Sequence, residues 1–183
     1  MKESLRPGGR SARVQAAVHA AVRDLLRDRA RSELTIPAIA TRAGVTPSTL
    51  YRRWGSLQDL LADVAVERMR PEGDPDDTGS VRGDLEEWLE QYIEEMTSVP
   101  GRAMTRDVLG CTGAAPRQCA AFLRRQIEVI AARGAARGEP ALDVDAVVDL
   151  VVAPVMYRLL FDTAPVDPAW WRGLLARVVP PAG

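Results

Sequence analysis

Histidine occurs once in this 183-residue chain, at His19, lysine once, at Lys2, and cysteine twice, at Cys111 and Cys119. A Ser-His-Asp or Cys-His site would have to be built on His19, and a histidine-rich metal site is excluded. Two cysteines make neither a disulfide framework nor a four-cysteine zinc site; they read as small buried hydrophobes in a reducing compartment. Long apolar runs are missing too. The most apolar stretch, 146–156, is interrupted by Asp149 and Pro154 and is too short to span a bilayer. Met1 to Arg13 are polar and Gly/Arg-rich, without the apolar segment of a secretory signal. The expectation is a cytoplasmic protein with no membrane segment, no metal and no cofactor. Nor is there a nucleophile–base pair or a Gly-rich phosphate loop, so an enzyme is not expected.

What is present is an ordinary globular composition, 46% hydrophobic and 27% charged, in a chain long enough to bury a core without disulfides. The formal net charge of −1 conceals a division. Residues 1–70 carry 13 basic and 7 acidic side chains, a net of +6; residues 71–183 carry 11 and 18, a net of −7. A basic first third on an acidic remainder points to a nucleic-acid-binding module joined to something else.

Residues 1–11, with Lys2, Arg6, Arg10 and the breakers Pro7-Gly8-Gly9, read as a flexible basic arm. From Ala12 to Arg31, Val14, Val18, Ala21, Val22 and Leu25 recur at helical spacing. Thr35 suits an N-cap, Pro37 the first turn and Gly44 the end of a short helix. Thr46-Pro47 opens a second short helix through Trp54, and the pair forms a helix-turn-helix pattern. Ser56-Leu57-Gln58-Asp59 reads as a variant capping box opening a fourth helix to about Arg70. Residues 12–70 thus form one module, 71–79 a linker, and 80–183 a second helical domain. In the latter, Leu85, Trp88, Leu89, Tyr92 and Met96 make one stripe, which Val99-Pro100-Gly101 breaks. Helices follow over 102–111 and 117–137, then one capped by Asp143 and one by Asp167. The fold class expected is all-α, with about nine helices.

A helix entering a major groove offers its N-terminal residues to base edges and its flanks to phosphates. Thr46, Pro47, Ser48 and Thr49 are short enough for close approach, and Tyr51, Arg52 and Arg53 follow on the same helix. Thr46 also reads as a plain cap, Arg52 as a solvated helix face, and Leu50 and Trp54 as core.

The residues Thr35-Ile36-Pro37-Ala38-Ile39-Ala40, Ala43-Gly44-Val45-Thr46, Thr49-Leu50-Tyr51-Arg52-Arg53-Trp54, Ser56 and Leu60-Leu61 resemble the DNA-binding module of the tetracycline-repressor (TetR) family of bacterial regulators. The segments Arg137-Gly138-Glu139, 153–160 and Pro165-Val166-Asp167-Pro168 resemble one subtype of the family's C-terminal regulatory domain. By this resemblance Tyr51, Arg53 and Thr35 would bond phosphates, and Arg42 would reach a base or a phosphate. Leu57 stands where the family often has Lys, which removes one phosphate contact and about one unit of salt slope.

The resemblance implies a repressor that binds palindromic double-stranded operator DNA as a homodimer and is released by a small-molecule effector. The competing reading is a helical small-molecule-binding or adaptor protein with a vestigial DNA-reading head. Trp88, Tyr92, Met96, Met104, Leu109, Phe122 and Ile127 are the candidate pocket, an apolar set suited to a hydrophobic ligand. Val151, Val155, Leu159, Trp170, Trp171 and Leu174 are the candidate dimer interface. Adjacent tryptophans diverge by about 100° on a helix, so one of the two faces either a partner or a neighbouring segment.

Overall fold

The computed structural model describes residues 8–162 and 164–179. Of the expected basic arm, residues 1–7 lie outside the described residues. Among those described every regular element is helical, as the patterning required. The described residues divide into two compact units: 8–68 with 107–115, and 69–106 with 116–162 and 164–179.

The first unit contains α1 (Gly8–Asp28), a short 3₁₀ turn (Arg31–Glu33), α2 (Ile36–Ala43), α3 (Pro47–Trp54) and α4 (Leu57–Arg68). Helix α1 starts at Gly8 rather than Ala12. Its apolar face meets those of the other three over Val18, Val22, Ile39, Leu50 and Leu60, each fully buried. The local signals act as their chemistry dictates. The Ala38 N–H donates to Thr35 Oγ1 (3.3 Å), and Gly44, at φ +68°, ends α2 in the left-handed region. The Asp59 N–H donates to Ser56 Oγ (3.0 Å). The fourth member of this capping box departs from the usual exchange: Asp59 is too short to reach back to the cap's N–H and instead accepts from the Ser56 hydroxyl (2.6 Å). Thr46 occupies the cap position of α3 without a side-chain cap bond. The Thr49 N–H takes the Thr46 carbonyl (3.0 Å), which leaves the hydroxyl to its neighbours.

Segment 107–115 completes this unit. Asp107 pairs with Arg31, its carbonyl accepts from Gln58 Nε2 (2.8 Å), and the Cys111 thiol donates to Asp59 Oδ1 (3.2 Å).

The second unit is built from α5 (Val81–Thr97), α6 (Val99–Leu109, up to Arg106), α7 (Ala115–Arg137, from Pro116), α8 and α9 (Pro168–Val178). Its core joins Leu85, Leu89, Ile127, Ile130, Val147, Val151, Val155, Trp171 and Leu175. Helix α5 ends just before Val99-Pro100-Gly101, as expected, but the three residues open the next helix, which therefore starts at Val99 and not at Arg102. Ser98 caps it, accepting from the Gly101 N–H (3.0 Å), and Pro100 sits in a first turn, where its missing N–H costs nothing. Helix α8 runs through Val144–Val147, a π turn at Val148–Val152, and Ala153–Phe161. The wide turn precedes Pro154, whose ring would otherwise press on the carbonyl four residues back.

Residues 71–79, a linker by composition, are pinned to the second unit. Gln126 and Arg133 donate to the carbonyls of Gly73 and Pro75, and the Thr78 N–H and hydroxyl both donate to Asp84 Oδ1 at 2.7 Å. Arg137 gathers Asp77 (2.8 Å), the fully buried Asp84 (3.1 Å) and Glu139 (2.6 Å). These three bonds give the Arg137-Gly138-Glu139 segment a structural reason.

Candidate functional site

The expected reading face is built on α2 and α3. Pro47 and Thr46 make a sharp entry to α3, and Leu50 anchors it in the core. Thr46 Oγ1 lies 3.0 Å from both Ser48 Oγ and Thr49 Oγ1. Three hydroxyls therefore form a short hydrogen-bonded row at the exposed start of the helix. Each retains acceptor or donor capacity for a base edge or a phosphate. Pro47 is exposed beside them. One turn on, Tyr51 is 53% exposed and Arg52 is exposed. On α2, Thr35 is exposed at the cap, and Arg42 is exposed and paired with Asp24 (3.0 Å). That pair is solvent-facing and is worth little, so it leaves Arg42 able to exchange its partner for a phosphodiester anion.

Arg53 differs from its neighbours. Its Nη1 donates to the Ser11 carbonyl (2.7 Å) and hydroxyl (2.9 Å), its Nη2 donates to Gln15 Oε1 (2.6 Å), and its guanidinium lies 5.0 Å from the Trp54 ring centroid. Behind it Asp63 Oδ2 accepts from Gln15 Nε2 (3.1 Å) and Trp54 Nε1 (2.9 Å) and lies 2.8 Å from His19 Nε2. Burial pushes the Asp63 carboxyl up, but the bonds from His19, Trp54 and Gln15 outweigh it and hold the acid below its ordinary range. Ser11, Gln15, His19 and Asp63 were not among the expected site residues. The signal was there: positions 11, 15 and 19 repeat every four residues along α1, and His19 sits on its buried side, where a polar ring requires a partner.

The pocket candidates do not assemble as one lining. Leu109 is 57% exposed and lies in segment 107–115 of the first unit, because α6 passes from one unit to the other before its end. In the second unit Ile127 is fully buried. Trp88 and Tyr92 stack at 5.6 Å and 15° and pack against the core. The Tyr92 hydroxyl donates to Met156 Sδ (2.9 Å), and burial pushes its pKa up. Met96 and Met104 are buried. Phe122 is half-buried, with the Arg70 guanidinium 5.5 Å from its ring centroid. It lines a shallow cleft with Arg70, Pro71, Gly73, Asp74, Arg125 and Gln126.

The interface candidates divide likewise. Val151, Val155 and Trp171 are buried within the second unit, so they hold the fold. Leu159 and Leu174 are half-buried against that core. Of the two tryptophans, Trp171 faces inward, and Trp170 is covered by Arg158, 3.8 Å from its ring centroid. The large apolar side chains on the surface of α8 are others: Leu150, Tyr157, Leu160 and Phe161, with Tyr157 and Phe161 at 67% and 73% exposure and their rings 5.1 Å apart. Apolar content alone does not separate the inner row of α8 from the outer one, which is why the sequence does not tell the two rows apart. Among the described residues no helix is long and apolar enough to cross a membrane.

Residues 18–64 match the family model described as bacterial regulatory proteins, tetR family, and residues 75–178 match that of the tetracyclin repressor-like C-terminal domain. The chain is 24% identical over 168 residues to the HTH-type transcriptional regulator YdeS of Bacillus subtilis, an alignment covering 87% of this chain and 84% of that one. It is 37% identical over 68 residues to the HTH-type transcriptional regulator AqdR of Rhodococcus erythropolis, covering 37% of this chain and 33% of that one. Among solved structures, the TetR family transcription regulator SCO0332 superposes with a TM-score of 0.67 at 29% identity, over 90% of this chain and 95% of that one. A TetR transcriptional regulator from Rhodococcus sp. RHA1 shares the fold at 17% identity and a TM-score of 0.62, over 95% and 100% of the two chains.

Proposed function

Because the chain belongs to the TetR family of DNA-binding transcriptional regulators, we propose that it is a cytoplasmic repressor that binds a palindromic operator as a homodimer and is released by a small hydrophobic effector. The observation that carries the DNA-facing part is the row of hydroxyls at the exposed start of α3, followed by the exposed Tyr51 and Arg52. In this reading Thr46, Pro47, Ser48 and Thr49 meet base edges and the nearest phosphates. Thr35, Arg42, Tyr51 and Arg52 meet the backbone on either side.

One reading helix buries too little DNA to be selective, and two half-sites about 34–36 Å apart, or a multiple of that, call for a dimer. The apolar stripe Leu150, Tyr157, Leu160 and Phe161 supports α8 as the surface that a second copy covers. The apolar packing around Trp88, Tyr92 and Ile127 and the buried Met96 and Met104 support an effector of matching polarity, while Phe122 lies in a more polar cleft with Arg70 and Arg125. Release then follows from linkage, since an effector that prefers the non-binding conformation lowers DNA affinity by its differential binding energy.

The test is selection of duplexes from a randomised pool by the protein, followed by a salt titration of the enriched duplex. A palindromic consensus, bound with an affinity that falls steeply with salt, is the expected result. No enrichment would leave a helical ligand-binding or adaptor protein instead.

A further inference from the structure

The last two residues of the reading helix are tied to other helices, the exposed Arg53 to α1 and Trp54 to α4. Arg53 uses both terminal nitrogens on Ser11 and Gln15, and Trp54 uses its only donor on Asp63. Ser11, Gln15 and His19 stand four residues apart, so they form one polar row on α1. Gln15 is its hinge pin. Its amide oxygen accepts from Arg53 and its amide nitrogen donates to Asp63, which fixes the sense of the amide and links the guanidinium to the carboxylate. A single carboxylate oxygen on α4 thereby collects donors from α1 and α3. Resting on the reading that α3 enters DNA, we infer that Arg53 is a positioning residue: with Gln15, Trp54 and Asp63 it sets the angle of the reading helix on α1, instead of contacting a phosphate itself.

The chemistry separates the two roles. Three of the five guanidinium N–H groups are committed to Ser11 and Gln15, and the ring of Trp54 lies against the same group, so the bonds to α1 fix where the guanidinium can point. A lysine supplies the same charge to a phosphate but cannot span two acceptor groups with a planar fork. A lost phosphate contact lowers the slope of log affinity against log salt by about one. A misaligned helix weakens the base-edge contacts, lowering specific binding while sequence-independent binding persists.

The experiment uses the full chain and the duplex enriched by the wild-type protein, with a scrambled duplex as control. Arg53→Lys and Gln15→Leu are each expected to lose about tenfold or more in affinity for the enriched duplex, the scale of a charged hydrogen bond removed. The double variant should lose little more than either single one. The scrambled-duplex affinity and the salt slope should stay at wild-type values, and helical circular dichroism with a cooperative melt reports folding. If Gln15→Leu fails to fold, Trp54→Phe, which keeps the ring but drops the indole donor, carries the same expectation. Wild-type affinity in Arg53→Lys, or a salt slope reduced by about one in Arg53→Ala with Gln15→Leu unaffected, would overturn the inference while leaving the regulator reading intact. Failure of the wild-type protein to enrich any duplex would overturn both.

Discussion

Tyr51, Arg52 and Arg53 are consecutive, yet only the third is held by α1. Tyr51 and Arg52 are exposed, as Arg53 is, and removing either should leave the fold alone and weaken DNA binding. Arg52→Ala is expected to lower affinity for the enriched duplex and flatten its salt slope by about one unit. Tyr51→Phe should lower affinity about three- to tenfold at unchanged thermal stability, the loss of one phenolic hydrogen bond. Binding titrations at several salt concentrations separate these outcomes. Asp63 gives a prediction of another kind. Its carboxyl is depressed in the folded protein because donated bonds outweigh burial, so the charged form favours folding above the ordinary carboxylate pKa. That contribution fades as pH falls through the depressed value. Asp63→Asn should therefore be less stable than wild type at neutral pH, with a gap that narrows as acid is added. Thermal melts from about pH 6 down to about pH 2 would show it. The face carrying Thr46, Ser48, Thr49, Tyr51 and Arg52 could be read from the sequence, because hydroxyl size and exposed helix position are local properties. The engagement of Arg53 could not, since its partners lie at Ser11 and Gln15 on another helix.

At the level of elements, helix boundaries were legible where a cap states them. Thr35, Gly44, Ser56, Asp143 and Asp167 each act as their side chains or backbones dictate. They were misread where tertiary surroundings decide. Pro100 marks the end of α5 but lies in the first turn of α6 and not between helices, and a π turn before Pro154 lets the helix that Asp143 caps run on to Phe161. The segment 71–79 has linker composition, yet α7 supplies donors for its carbonyls. Close packing of α5 on α7 is the reason for Gly134. A Cβ there would stand 2.1 Å from Val81 Cγ2, far inside contact distance. Gly134→Ala should push the two helices apart and cost about 1–3 kcal/mol, seen as a lower midpoint in thermal or denaturant unfolding.

For the whole molecule, the net charge of −1 averages two surfaces of opposite sign, and the division of the charge matches the division of labour proposed between reading head and sensor. The dimer is the property that belongs to this scale. Tyr157→Glu with Phe161→Glu places charges on the exposed stripe of α8 without touching the buried Val151 and Val155. The pair is expected to give a folded monomer by light scattering at micromolar concentration. Affinity for the palindromic duplex should drop about a hundredfold, because the second half-site no longer adds to the first. A dimer in that variant would direct attention away from α8.

The return of segment 107–115 to the first unit has a consequence for how such proteins can be recombined. The reading head is not a contiguous stretch of gene. Gln58 and Asp59 on α4 find their partners at Asp107 and Cys111, some fifty positions later in the chain. A chimaera that grafts a foreign head by a single splice at Met69 inherits α4 from one parent and its socket from the other. A graft that carries 107–115 along with the head keeps the two together, so modularity here is a matter of two exchanged segments and not one.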